Sequence, residues 1–300
     1  GAFLPRGTQS AGHGLFESLL LLPHKVREKE KEQHPIRYCS WCARRDSNPR
    51  HLASEVIDSR AFSDFCGVES SNQVPDGNTL GRFRNILMRN GIQQELFAQV
   101  VELLMQRGLI LKRGTIVDST FIEAPSSTKN EKKERDPEAH SAKKGNTWHF
   151  GYKAHIGVDK ESGLVHTVKV TAANEHDATV TSELLTGDEE EVYGDSGYLG
   201  AEKRPETLKK NKVGKSIHYK INRRPSQSKN NSARSQAQIK RREHEKSSVR
   251  AKGEHIFAVV KLQLRFRKTR YRGLQKQIAK MNIMFALANL ILADRPCLAA

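Results

Sequence analysis

The segment Gly114–Ala124 reads Gly-Thr-Ile-Val-Asp-Ser-Thr-Phe-Ile-Glu-Ala. Its β-branched and aromatic residues suit a pleated, half-buried surface, so the stretch predicts a β-strand. A period of two puts Ile116, Asp118, Thr120 and Ile122 on one face and Thr115, Val117, Ser119 and Phe121 on the other. Asp118 therefore stands in the middle of a strand. Burying its charge is costly unless a cation meets it. Taken alone, the stretch leaves two readings open: an edge strand whose Asp faces water, or a site built around the acid.

The chain has 300 residues, enough for one or two domains with their own cores. Its net charge of +17 is unevenly spread: residues 203–280 hold 25 Lys and Arg against 4 Asp and Glu. An excess this concentrated points to a polyanionic partner, and nucleic acid is the fitting one. A solvated basic surface is the plainer alternative. No run of 18 uncharged apolar residues exists, so no membrane span is expected. The short apolar run at 15–23 lacks the flanks of a signal peptide. Four cysteines (Cys39, Cys42, Cys66, Cys297) give no disulfide framework and suit a reducing cytoplasm.

Along the chain, residues 1–51 read as a leader foreign to the rest of the protein, non-native or disordered. Its lone Cys39-Ser-Trp-Cys42 lacks the two further ligands of a zinc site. Residues 52–111 carry helical apolar spacing and read as a partial helical module. Residues 112–295 read as one α/β domain. Within it, 125–149 is expected to be a flexible basic loop, with Lys129, Lys132, Lys133, Lys143 and Lys144. Strands are expected at 149–158 and 164–171, joined as a hairpin by a turn ending in Gly163. Next come a short helix at 174–185, a strand ending at Asp195, a helix from Gly200 to about 210 and a strand at 215–221. Residues 222–246 read as a polar, basic insert. Helices at 249–265 and 274–293 close the chain. The order βββαβαβα is that of a mixed sheet flanked by helices.

Spacing on the 249–265 helix bears on Asp118. At about 100° per residue, Ser247, Arg250, Glu254 and Lys261 share one polar stripe, while Ile256, Phe257, Val260 and Leu264 form the core face. Glu254 flanked by cations is either a surface ion-pair residue or a third acid beside Asp118 and Asp195. Three hard oxygen donors suit Mg²⁺ or Mn²⁺, and two such ions activate water for phosphodiester cleavage. Arg250 and Lys261 would then hold the flanking phosphates.

Several motifs occur in order: Gly114-Thr-Ile-Val-Asp-Ser-Thr120, Ala124-Pro-Ser-Ser-Thr-Lys-Asn130, Gly151-Tyr-Lys-Ala-His-Ile-Gly-Val-Asp159, Gly194-Asp-Ser-Gly-Tyr198, Arg250-Ala-Lys-Gly-Glu-His-Ile-Phe257, Lys268-Thr-Arg-Tyr-Arg-Gly-Leu274 and Ala286-Leu-Ala-Asn-Leu290. Over about 55–295 the chain resembles DDE-type bacterial insertion-sequence transposases of the insertion-sequence-five group. The resemblance implies an RNase H-like fold, with Asp118, Asp195 and Glu254 as catalytic metal ligands and an Arg–Glu–Lys signature helix. It implies DNA contacts from Arg250, Lys261, Arg265, Lys268, Arg270 and Arg272. It further implies two Mg²⁺ or Mn²⁺ ions, a homodimer acting on terminal inverted repeats and target DNA, and a bacterial cytoplasmic, nucleoid-associated location. The expected function is cleavage and strand transfer at element ends. The alternatives are an inactive DNA-binding remnant or a simple RNase H-like nuclease. The chain departs from the family in placing Ser247 where a Tyr is common, and Gly253 where a β-branched residue is usual. The family's N-terminal helical domain is expected to be truncated here. His155, His166 and His176 are expected in core or surface roles, and Trp148 and Tyr152 are expected to pack over the sheet. Asp177 is the candidate for a supporting group, and Asp159 for a turn residue.

Overall fold

Strand β1 (Gly114–Glu123) forms as expected and is the axis of the sheet. The computed structural model describes residues 63–64, 66–129, 131, 134–224 and 233–294. The expectations for residues 1–51, and for the CxxC within them, fall outside the described residues. The chain divides after Asn90 into two units. In the first, α1 (Gly77–Arg89) starts at Asp76, whose carboxylate accepts a 2.7 Å bond from Thr79 N–H and so caps the helix.

The second unit begins with α2 (Ile92–Gln106) and holds the sheet. On one side of β1 run β3 (Thr147–Asp159) and, beyond it, β4 (Val165–Ala172), all antiparallel. On its other side β5 (Glu191–Gly194) and β6 (His218–Ile221) are parallel to β1. Three antiparallel strands followed by two parallel ones, in the order β4-β3-β1-β5-β6, with helices on the faces, make an RNase H-like sheet. One face is sealed by α3 (Asp177–Leu184), where Val117, Val180, Leu184, Val192, Tyr198, Ile217 and Ile221 form a dry cluster. The other face takes α4 (Ala233–Ala258), whose Gly253 lies so near β1 that a Cβ there would sit 3.4 Å from Ile116 Cγ2. That is ordinary van der Waals contact, so the approach of helix to strand leaves room for a methyl group at Gly253. Helix α5 (Leu274–Ala293) is tied to β4 by Asn289, which donates to Val165 C=O at 2.7 Å and accepts from its N–H at 2.9 Å.

The structure corrects several expectations. Residues 140–149 are not a flexible loop: β2 (His140–Lys144) pairs with β3 from Lys144↔Thr147 to His140↔Gly151. Helix α4 begins at Ala233, not near 249, so the 222–246 insert is largely helix. That stretch has no apolar stripe, but its Gln, Ala, Lys, Arg and Glu favour helix. Arg241–Glu245 and Glu243–Lys246 pairs support it. Its C-terminal continuation, Val259–Gln263, is a π-helical turn rather than more α-helix. The helix expected after Gly200 is only a single short 3₁₀ turn, Ala201–Lys203. Trp148 does not pack over the sheet but is 67% exposed, whereas Tyr152 is fully buried as expected.

Buried Asp136 fastens the residues before β2. Its Oδ2 accepts from Tyr152 Oη at 2.6 Å and from Gly273 N–H at 2.9 Å. Burial and this carboxylate push the phenol pKa upward, so Tyr152 stays a donor. Tyr152→Phe should therefore cost about 1–3 kcal/mol by orphaning a buried carboxylate bond. Thermal melting checks this, with a fall of several degrees expected.

Candidate catalytic site at the ends of the parallel strands

The last paired residues of β1 and β5 are Ile116 and Tyr193, and Asp118 and Asp195 each lie two residues further on. Counting along two parallel strands thus sets the two acids at the same height on neighbouring strands. Asp195 follows the final residue of β5 and opens the turn Ser196–Tyr198, its Oδ1 accepting from Gly197 N–H at 2.8 Å. Asp118 Oδ1 accepts from Ser119 N–H at 2.8 Å. Desolvation raises the Asp118 pKa to about 6, with Asp195's charge adding to the rise, while the Ser119 bond, Arg250 and Lys144 pull the other way. The site presents a carboxylate whose charge the protein leaves under-compensated.

A third parallel strand completes the row. Asn222, just beyond β6, donates its N–H to Gly194 C=O at 3.0 Å and so stands beside Asp195. Its side chain receives Arg250 Nη1 at 3.1 Å and donates to Glu243 Oε2 at 2.9 Å and Ser247 Oγ at 3.3 Å. Ligand sites in open α/β sheets favour these carboxyl ends of strands. Arg250 is held over the acids by Asn222, while its buried Nε has no partner. The π turn aims Lys261 at β1, where its ammonium donates to Thr120 Oγ1. Burial lowers the Lys261 pKa first, with Lys144 and Arg267 adding to the fall and Glu123 and Asp118 opposing it. Single π turns inside helices are frequent at functional sites.

Glu254 is placed differently. It is exposed on α4, one turn after Arg250. Among the described residues, no three Asp, Glu, His or Cys side chains gather as a metal-binding group. The two aspartates are brought together, with Arg250 and Lys261 beside them.

On the opposite face of β1, Asp177 at the start of α3 accepts from Ser119 Oγ and Lys153 Nζ, each at 3.1 Å. A Cβ on Gly197 would sit 2.9 Å from Asp195 Oδ1 and 3.3 Å from Asp177 Oδ2, so the two carboxylates flank one small gap. The buried Tyr198 hydroxyl lies near the same acids, with Ser119 beside it. His155 is fully buried, its Nε2 paired with Thr171 Oγ1 at 2.9 Å, and desolvation lowers its pKa to about 4. His166 is likewise buried and lowered to about 4. His176 caps α3 through Nδ1. Asp159 accepts backbone N–H bonds from its own turn and from Lys112. The structural roles expected of these residues therefore hold.

The remaining cations line the exit of β1. Thr269 N–H donates to Glu123 C=O at 2.7 Å, and the segment around it leaves Arg265, Lys268, Arg270 and Arg272 exposed. Tyr198 and Lys153 lie inside the sequence motifs without being singled out there as site residues, and Asn222 lies in none of the motifs. For Asn222 a signal existed: it follows β6 as Asp195 follows β5, a polar residue at the end of an apolar strand.

The family model described as Transposase DDE domain matches residues 110–290. No solved structure matches the chain. The matched span runs from just before β1 almost to the end of α5, includes every acid and cation of the site, and covers more than half of the sequence. The chain therefore belongs to the transposase DDE domain family.

Proposed function

We propose that this protein is a metal-dependent transposase of the insertion-sequence-five group, which cleaves DNA at element ends and joins the freed 3′-hydroxyl to target DNA. The observation that carries this reading is the pairing of Asp118 and Asp195 at one height on parallel strands, with Arg250 and Lys261 alongside. The donor set fits Mg²⁺ or Mn²⁺: it consists of hard oxygens, and Asp118 carries an under-compensated charge. A pair of such ions, when bound, supplies an activated water and charge stabilisation at the leaving oxygen.

The chain's own residues do the rest. Asp118 and Asp195 would hold the ions, and Glu254, exposed on α4 one turn after Arg250, is the candidate for a third carboxylate once metal and DNA are bound. Arg250, oriented by Asn222, and Lys261, braced on Thr120, grip the phosphates on either side of the scissile bond. Arg265, Lys268, Arg270 and Arg272 extend the track. Terminal inverted repeats and target DNA are the substrates, a homodimer is the acting form, and the bacterial nucleoid is the place. Among the described residues no helix is long and apolar enough to cross a membrane.

One observation favours a second reading. Glu254 does not join the aspartates, which suits a DNA-binding remnant without chemistry. A supercoiled plasmid bearing the element's ends, incubated with Mg²⁺, separates the possibilities. Wild type should give nicked and joined products, and Arg250→Ala should slow them roughly a hundredfold, as loss of one transition-state donor does. Nicking without joining would indicate a plain nuclease; binding without nicking would leave only the remnant.

A further inference from the structure

Strand β3 is longer than its neighbours. From Tyr152 onward it lies between β1 and β4; Thr147–Phe150 pair with β2, and Phe150 C=O also accepts from Ala124 N–H at 2.8 Å, where the chain leaves β1. The β2–β3 hairpin is thus a two-stranded ribbon projecting past the sheet. Its turn is the two-residue Gly145-Asn146, with Gly145 at φ +60°. Residues Lys143 to Trp148 are all exposed, and Trp148 sits directly opposite Lys143. No acid occurs between Ala139 and Val158. Alternation along β3 places Trp148 on the face that carries Tyr152, the partner of Ile122, and hence on the face of Asp118. The Lys144 charge acts on both Asp118 and Lys261.

We propose that this ribbon is a stacking platform for an unpaired DNA base beside the cleavage point: Trp148 takes the base on its indole face, and Lys143 and Lys144 hold the adjoining phosphates. An indole kept in water by a ribbon with no apolar neighbour on its outer half is poised for a flat, apolar ligand, and its lysines select a polyanion. Nucleic acid with a splayed base supplies both features. A base still in the duplex stack offers no free face. Phe150, half-buried with the Arg135 guanidinium 5.6 Å from its ring centroid, stiffens the base of the platform. The inference rests on DNA being the substrate of the Asp118–Asp195 site.

The chain has two tryptophans, Trp41 and Trp148, so Trp41→Phe leaves Trp148 as the sole indole reporter. Without divalent metal, this full-length variant is titrated with a blunt duplex, a duplex with a short unpaired tail, and the same tail made abasic. Binding is followed independently by anisotropy of labelled DNA. Quenching of Trp148 by the unpaired tail, absent with the abasic tail and the blunt duplex, is expected. Trp148→Ala should weaken tailed DNA about tenfold and blunt duplex less than about twofold, and Trp148→Phe should recover part of the loss. Lys144→Ala should weaken both DNAs alike and flatten the salt dependence. Saturated binding with unchanged Trp148 emission would overturn the proposal and leave the transposase reading standing. Equal quenching by blunt duplex would overturn it in favour of groove insertion. Absence of all DNA binding would sink both. Quenching together with an inert plasmid reaction would sink only the proposed chemistry.

Discussion

Asp118→Asn is expected to abolish strand cleavage while making the metal-free protein more stable at pH 7.5. The first effect follows from losing an ionised ligand at the centre of the site. The second follows from the cost of holding that charge. The Asp118 pKa is about 6 in the folded chain against an ordinary value of 3.8. Between those values the native state binds more protons than the unfolded chain. Stability is therefore lost as pH rises from about 4 to 6, and the loss is complete above 6. The two pKa values set an upper bound of about 3 kcal/mol on that loss. An isosteric amide removes the charge and recovers part of it, a gain of several degrees in melting temperature.

The buried histidines work in the other direction. His155 and His166, both lowered to about 4, are neutral in the fold but protonate in the unfolded chain near pH 6.5, so stability falls as pH drops from about 6.5 to 4. In wild type the recovery at Asp118 offsets part of that fall; in Asp118→Asn nothing does. The gap between the two proteins should close near pH 4. It should also narrow at pH 7.5 when Mg²⁺ is added, because the cation relieves the same charge in wild type alone. Differential scanning calorimetry over pH 4–8, with and without Mg²⁺, gives all three readings. A variant less stable than wild type at pH 7.5 would mean that Asp118 is compensated in the fold and is no under-neutralised ligand.

How much of the fold and the site was legible depended on whether a residue's role was written in its local pattern. Strand β1 and the β3–β4 hairpin were readable because apolar alternation and a turn glycine mark them. The pairing of Asp118 with Asp195 was readable in part: each stands on a strand, but their common height is a matter of register, and register is not local. The N-terminal half of α4 was not readable from periodicity, since Arg241–Lys246 has no buried face to betray it. The π turn was equally hidden. A constant 100° per residue placed Lys261 on the Glu254 stripe, whereas the wider turn at Val259–Gln263 sends it to Thr120. Glu254, expected to join the aspartates, is exposed on α4, because the residue held against β1 is its neighbour Gly253.

Strand β2 was the largest omission, because His-Ser-Ala-Lys-Lys has no strand pattern at all; it pairs because β3 gives it an edge. What makes that edge is Gly151, and Gly151→Ala is the substitution expected to damage the fold most. Its φ is +153°, a region that side-chain-bearing residues rarely enter. An ideal Cβ would lie 2.1 Å from Ile122 C=O and 2.8 Å from Ala124 N, both backbone atoms that cannot swing aside. Gly151 is also paired on both flanks, with Glu123 of β1 and His140 of β2, and its C=O accepts from Ala173 N–H at 3.2 Å. Relief would require parting strands at the root of the ribbon. Backbone strain alone costs roughly 1–3 kcal/mol, and the steric clash should bring the total to about 3 kcal/mol or more. Gly145 makes the control. It too has positive φ, at +60°, but a Cβ there meets nothing within 4 Å, so Gly145→Asn should cost less than about 1 kcal/mol. Urea unfolding of the two variants tests the contrast. If Gly151→Ala unfolds within about 1 kcal/mol of wild type, β3 tolerates a side chain at its bend and the ribbon's direction is not fixed there. If the loss is as large as expected, the course of the ribbon that carries Trp148 and Lys144 depends on the absence of one methyl group.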